Sequence, residues 1–292
     1  IKKINALGAE YIPYNIKWNG LDIISDIQTI RELKILMLKL KPDIILSYTV
    51  KPILFSSFVT LGDTKMKKYF MITGLGYGFM RDTLMQKILN AFIKILYKMA
   101  LFRSNAIIFQ NEEDENVFRK FRLIQETKRT IIINGSGVNL EYYRPYSLSN
   151  EPIFLLIARL LYSKGVYEYC EASRLIKREY PTARCILVGY IDENPTAIPN
   201  KKLQSWITDG VVEYYGQMDD VRSAIRESNI YVLPSYREGM ARTILEAMAM
   251  GRPVITTDVP GCRETTIHGV NGFLIEKKNI NTCWWSFERK IN

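Results

Sequence analysis

The 292-residue sequence has one histidine, His268, and four cysteines, Cys170, Cys185, Cys262 and Cys283, none in a CxxC spacing. That density is too low for a disulfide scaffold and the spacing is wrong for zinc, so reduced thiols are expected. His268 precedes Gly269-Val-Asn-Gly272, which reads as a turn, so it is taken as structural. No apolar run reaches the roughly 20 residues that a bilayer-spanning helix needs, and no secretory leader is recognisable. Low-complexity tracts and solenoid repeats are also missing. What is present is 47% hydrophobic content, enough for substantial cores in about two domains.

The charge balance is one-sided, with a net +10 and a pI near 9.3. Basic surfaces attract nucleic acids, anionic lipids and phosphorylated substrates alike. Within Leu84 to Phe102, Lys87, Asn90, Lys94 and Lys98 fall on one helical stripe among mostly apolar positions. Such a helix either lies on an anionic membrane surface or packs on a sheet with its polar stripe outward. The expected partner of the basic N-terminal half is a membrane, with no nucleic acid.

Short β-branched runs alternate with longer helical patterns, the signature of a parallel α/β architecture. Strands are predicted at 43–48, 68–72, 105–110 and 130–133, and again at 153–157, 184–188, 211–215, 230–233 and 253–257. Asn111, followed by Glu112, Glu113 and Asp114, is expected to cap a helix. The glycines and proline of residues 134–145 mark a linker. The expected division is 1–145, 146–280 and an atypical tail at 281–292.

The most informative segment is Arg237 to Thr256, where Glu238 and Glu246 stand seven residues apart as a loop enters a helix. Eight helical steps rise roughly 12 Å, about the span from ribose to hexose in a nucleoside diphosphate sugar. Between them Gly239 permits close backbone approach. The amides of Met240, Ala241, Arg242 and Thr243 are expected near a helix N-terminus that favours a diphosphate.

Together with Ile157-Ala-Arg159, Lys164-Gly165, Leu187-Val-Gly189, Tyr215-Gly216, Pro234-Ser235, Pro260-Gly-Cys-Arg-Glu264 and Gly269-Val-Asn-Gly272, this segment resembles the retaining glycosyltransferases of family 4. The motifs occur in the family's order over about 45–277. The resemblance implies the GT-B fold, two Rossmann-like domains facing across a cleft, and a sugar-nucleotide donor, with UDP preferred. It assigns Arg159 and Lys164 to the donor diphosphate, where cations neutralise the charge on the departing nucleotide. It gives Glu238 the hydroxyls of the transferred sugar, Glu246 those of the ribose, and Gly189 and Gly216 the border of the base. Taken alone, Arg159 could form a surface salt bridge, and the two glycines could be plain strand-end turns.

Tyr48-Thr49-Val-Lys51 and Ile72-Thr-Gly74-Leu-Gly76-Tyr-Gly78 resemble a subgroup that adds hexose or N-acetylhexosamine to polyprenyl-diphosphate-linked saccharides. Thr49, Lys51, Gly74 and Gly76 are thereby expected on the acceptor side. The implied enzyme is cytoplasmic and peripheral at the inner membrane face, and needs neither cofactor nor metal. Asp219-Asp220 is read as a helix cap. A dinucleotide fingerprint fails because Phe79 stands where the third glycine belongs. Set against the family pattern, the glycine-rich first strand is expected to be missing and residues 281–292 depart from the family's closing helices, so a truncated remnant stays open, as does a GT-B sugar-nucleotide epimerase.

Overall fold

The computed structural model describes residues 2–17, 22–75, 84–148, 151–192 and 194–291. The chain divides into two units, 1–132 and 133–292. In the first, helices α1 (Lys2–Ala6) and α2 (Ile23–Leu40) precede β1 (Ile44–Tyr48), α3 (Val50–Val59), β2 (Lys67–Ile72) and α4 (Leu84–Phe102). After these come β3 (Ala106–Phe109), α5 (Glu112–Lys120) and β4 (Thr130–Ile132). The four strands pair in parallel in the order β1-β2-β3-β4. Phe118 of α5 sets its ring edge-on to Phe109 and Tyr97, 5.3 Å from each. Asn111 caps α5 as expected, its side chain accepting the Asp114 N–H at 2.8 Å.

The second unit runs β5 (Ile153–Ile157), α6 (Val166–Glu179), β6 (Arg184–Val188), α7 (Asn200–Thr208), β7 (Glu213–Gly216), α8 (Arg222–Glu227) and β8 (Ile230–Leu233). It continues through α9 (Arg242–Ala249), β9 (Val254–Thr257), β10 (Gly272–Ile275) and α10 (Ile280–Ile291). Its six parallel strands lie in the order β10-β9-β8-β5-β6-β7. All five residues of β5 are buried, as expected of a central parallel strand covered on both faces.

The observed division falls ahead of the expected boundary at 145, because residues 134–145 pack with the second unit. Tyr143 joins that unit's core and the Tyr146 N–H bonds the Met250 carbonyl at 3.3 Å. Within the stretch expected as an atypical tail, residues 281–291 lie in α10, which packs on α6, with Cys283 and Phe287 fully buried and the Phe287 ring stacked on Phe154 at 4.2 Å. All four cysteines are buried free thiols.

The polar stripe of helix α4 does not face one way along its described length. Asn90 is buried, and the Lys94 amine sits 3.6 Å from the centre of the Phe121 ring, a cation–π contact that turns this lysine onto the protein. Lys98 is exposed, and the side chain of Lys87 lies outside the described set.

Candidate functional site

Counted within its unit, the six-stranded order is 3-2-1-4-5-6, the doubly wound arrangement. Successive crossovers leave in opposite directions where β5 meets β8, and ligands of such sheets bind there, beyond the carboxyl ends of the strands. The segments that continue β5, β6, β8 and β9 beyond that edge carry Arg159, Gly189, Glu238 and Gly261.

Glu238 sits in the loop between β8 and α9 and is held from three directions. Its N–H donates to the Pro260 carbonyl at 3.0 Å, and the Ser235 hydroxyl donates to its Oε1 at 2.8 Å. Lys164 Nζ donates to both carboxylate oxygens, at 2.6 and 2.7 Å. A Cβ at Gly261 would run into the Glu238 carbonyl, so only glycine lets the two loops approach this closely. The expectation assigned Lys164 and Glu238 to separate parts of a ligand, whereas the folded chain joins them in one ion pair.

The loop is braced from below. The Tyr236 N–H donates to the Ser163 carbonyl at 2.8 Å, and its hydroxyl donates to Oε1 of Glu168 at 2.7 Å. Burial and the Glu168 carboxylate push the Tyr236 hydroxyl well above its ordinary range, so it remains a donor. Cys262, beneath the loop, has its thiol pushed up to about 12 by burial and the nearby Glu238 charge, which leaves it protonated and unreactive.

Helix α9 begins at Arg242, so Glu238, Gly239, Met240 and Ala241 are loop rather than helix. The helical spacing anticipated between the two carboxylates therefore covers only its second half. The Ala241 N–H is already committed to the Gly261 carbonyl at 2.9 Å, and Ala241 provides no side-chain cap. The amides of Arg242 and Thr243 are left as first-turn donors at the positive end of the helix.

Glu246 lies on α9 with 6% of its surface exposed. Arg242 Nε donates to its Oε1 at 2.9 Å, and the Tyr143 hydroxyl lies near it. Burial first, then this carboxylate, push the Tyr143 hydroxyl up to about 12. Arg159, about half exposed, pairs with Asp192 at 3.0 Å. Gly189 donates its N–H to the Gly216 carbonyl at 2.8 Å, and a Cβ there would strike the Ala158 carbonyl, so its close packing is structurally required.

In the first unit, Thr49 and Gly74 follow neighbouring strands and share the carboxyl edge of the four-stranded sheet. The Thr49 N–H reaches the Met71 carbonyl at 3.3 Å. Thr49 adopts φ of 69°, and its buried Oγ1 has no hydrogen-bond partner. Lys51 is drawn onto Asp26 of α2 at 2.7 Å. Gly76 lies outside the described residues. Asp220 turns to Arg222, whose hydrogen bonds hold its carboxyl down to about 2. His268 accepts the Leu274 N–H at 3.1 Å through Nδ1, the structural role expected of it.

The sequence reading passed over Tyr143, Asp192, Glu168 and Tyr236. Glu168 did leave a signal, as a carboxylate between the buried positions Val166 and Tyr169 on α6, where an acid needs a buried partner. Among the described residues no cluster of histidine, cysteine or carboxylate groups could hold a metal.

Residues 151–285 match the family described as "Glycosyl transferases group 1". The chain is 27% identical over 292 residues to the N,N'-diacetylbacillosaminyl-diphospho-undecaprenol α-1,3-N-acetylgalactosaminyltransferase of Campylobacter jejuni, covering 95% of this chain and 75% of that protein. It is 23% identical to the Escherichia coli UDP-Gal:α-D-GlcNAc-diphosphoundecaprenol α-1,3-galactosyltransferase, covering 90% and 70%. Its fold matches that of sucrose-phosphate synthase from Thermosynechococcus elongatus with a TM-score of 0.76 at 21% identity, covering 91% and 68%. The carboxylate and cation set at the sheet's carboxyl edge thus lies within the residues that match the group 1 glycosyltransferases, in a chain with the GT-B fold of its structural neighbours.

Proposed function

We propose that this glycosyltransferase moves a hexose or N-acetylhexosamine from a UDP-sugar to a saccharide carried on a polyprenyl diphosphate, with retention of configuration. The observation that carries this reading is the convergence of Arg159, Lys164, Glu238 and the open amides of α9 at one switch point, with Glu246 one helical turn further on. The names of the Campylobacter and Escherichia relatives support the lipid-diphosphate acceptor, and the latter supports UDP.

In this scheme the diphosphate lies against the α9 amides of Arg242 and Thr243, with Arg159 and Lys164 as counter-charges. Glu246 accepts from the ribose hydroxyls. Binding of donor draws Lys164 toward phosphate and leaves Glu238, still held by Ser235, to accept from the sugar hydroxyls. The anomeric C–O bond breaks to release UDP, and the acceptor oxygen bonds to the same face of the sugar carbon. The acceptor's proton passes to the departing phosphate oxygen, so no separate protein base is required. Positive side chains supply the charge neutralisation that a divalent cation would otherwise provide, so we expect activity without metal. Thr49, Lys51 and Gly74 are assigned to the acceptor side, and a lipid-linked acceptor puts the protein at the cytoplasmic membrane face as a peripheral protein.

Incubation with a radiolabelled UDP-sugar and a polyprenyl-diphosphate saccharide tests the proposal. Label moving into an organic-extractable product is the expected result. Label that stays water-soluble with every lipid acceptor tried counts against it.

A further inference from the structure

Lys164 and Glu238 stand on two separate loops, one after β5 and one after β8, and their ion pair is one of several ties between those loops. The turn Tyr162–Lys164 runs straight into α6 through Gly165, whose φ is 70°. A Cβ on Gly165 would strike the Pro234 carbonyl, so the start of α6 lies directly against the end of β8. Beside this contact the Ser163 carbonyl accepts the Tyr236 N–H at 2.8 Å. One helical turn into α6, Oε1 of Glu168 accepts the Tyr236 hydroxyl at 2.7 Å. Tyr236 therefore grips the Lys164 turn on one side and the first turn of α6 on the other, and Glu238 follows it closely in the same loop.

The second grip is costly to build. Glu168 is 5% exposed and its Oε2 has no hydrogen-bond partner. A buried carboxylate oxygen without a donor destabilises a fold, and such groups call for an explanation beyond packing. Two features lessen the cost. Glu168 lies in the first turn of α6, where the helix dipole favours a negative charge. The Lys278 amine lies 5.0 Å from the centre of the Tyr236 ring, a cation–π contact with the ring whose hydroxyl makes the bond.

We infer that the Tyr236–Glu168 hydrogen bond is a positioning tether for the donor site, holding the Lys164 turn and the Glu238 loop in register when a diphosphate draws Lys164 away from Glu238. This rests on the donor-site reading above and adds to it the contact that keeps the two loops aligned once their charges part. An ion pair that opens on binding cannot fix the geometry of the complex. The Tyr236 contacts involve neither Lys164 Nζ nor the Glu238 carboxylate, so they stay in place as those groups change partners. Tyr236 and Glu168 act through Lys164 and Glu238, whose placement matters because small displacements of binding groups are expensive in a preorganised site.

Calorimetric titration of UDP into the full chain and its variants tests the tether. Tyr236→Phe should weaken UDP binding about 10-fold, as loss of a charge-assisted contact from a displaced Lys164 implies. Lys164→Ala should weaken it by a similar factor in the wild-type background, but by less than about 2-fold when Tyr236→Phe is already present. Glu168→Gln keeps an acceptor oxygen for the Tyr236 hydroxyl and should bind UDP more tightly than Tyr236→Phe does. The double variant Tyr236→Phe/Glu168→Gln removes the stranded carboxylate and should regain part of the lost melting temperature without regaining UDP affinity. Affinity that returns together with stability would overturn the inference, because Tyr236 would then serve the fold alone. So would a Lys164→Ala effect as large in the Tyr236→Phe background as in the wild type. Should Tyr236→Phe not fold, the double variant carries both comparisons. A folded wild type that takes up no UDP would overturn the donor-site reading and the tether with it, whereas the variants bear on the tether by itself.

Discussion

At the scale of single residues, the informative contact is Lys164 to Glu238. Both carboxylate oxygens take a hydrogen bond from one ammonium, and both side chains are mostly shielded from water. Groups that act as a unit are non-additive when removed. Lys164→Ala should lower turnover about 100- to 1,000-fold, Glu238→Gln should have a comparable effect, and the double variant should lose little more than the worse single one. Multiplying losses in steady-state assays would mean that the two act independently. Beneath them, Oε2 of Glu168 is buried without a hydrogen bond and Oε1 depends on Tyr236. Tyr236→Phe strands that carboxylate, at an expected cost of about 1–3 kcal/mol in denaturant unfolding. Adding Glu168→Gln should restore part of it by removing the stranded charge, and a further loss would contradict this assignment.

At the scale of elements, α10 shows how a short terminal segment becomes part of a core. Phe287 stacks on Phe154 of the central strand and Cys283 is fully buried beside it. Phe287→Ala should cost about 3–5 kcal/mol, read as a lower denaturation midpoint, and an unchanged midpoint would show that α10 is dispensable. Nothing in residues 281–292 declares this from the sequence, because Trp284 and Trp285 blur the apolar period and the partner strand lies far away in the chain. The nine strands β1 to β9 were legible because most are β-branched or apolar runs bounded by polar residues, and β7 follows directly on Val211-Val212. β10 was not, since Gly272-Phe-Leu-Ile follows directly on a turn. The carboxylates and cations of the site were legible through their motifs. Their pairing was not, because Lys164 and Glu238 are 74 residues apart and Tyr143 reaches Glu246 only when the supposed linker folds back. In α4, residue order suggested amphipathicity correctly, but which stripe faces inward depended on Phe121 receiving Lys94.

At the scale of the whole molecule, the two units differ in chemical character. One carries nearly all the net charge and an apolar helix face, and the other carries the doubly wound sheet with its carboxylate and cation cluster. That division suits the reaction proposed above, in which the acceptor is lipid-linked and the donor is a water-soluble anion. The central claim is that the second unit's switch point binds a uridine nucleotide through α9. Calorimetric titration of UDP into the folded chain and into its Glu246→Ala variant, with GDP as control, tests it most directly. The account predicts UDP binding that weakens about 10- to 100-fold in the variant, as loss of hydrogen bonds to a charged group implies. A folded chain that takes up no UDP, or a variant that binds it as tightly as wild type, would contradict it.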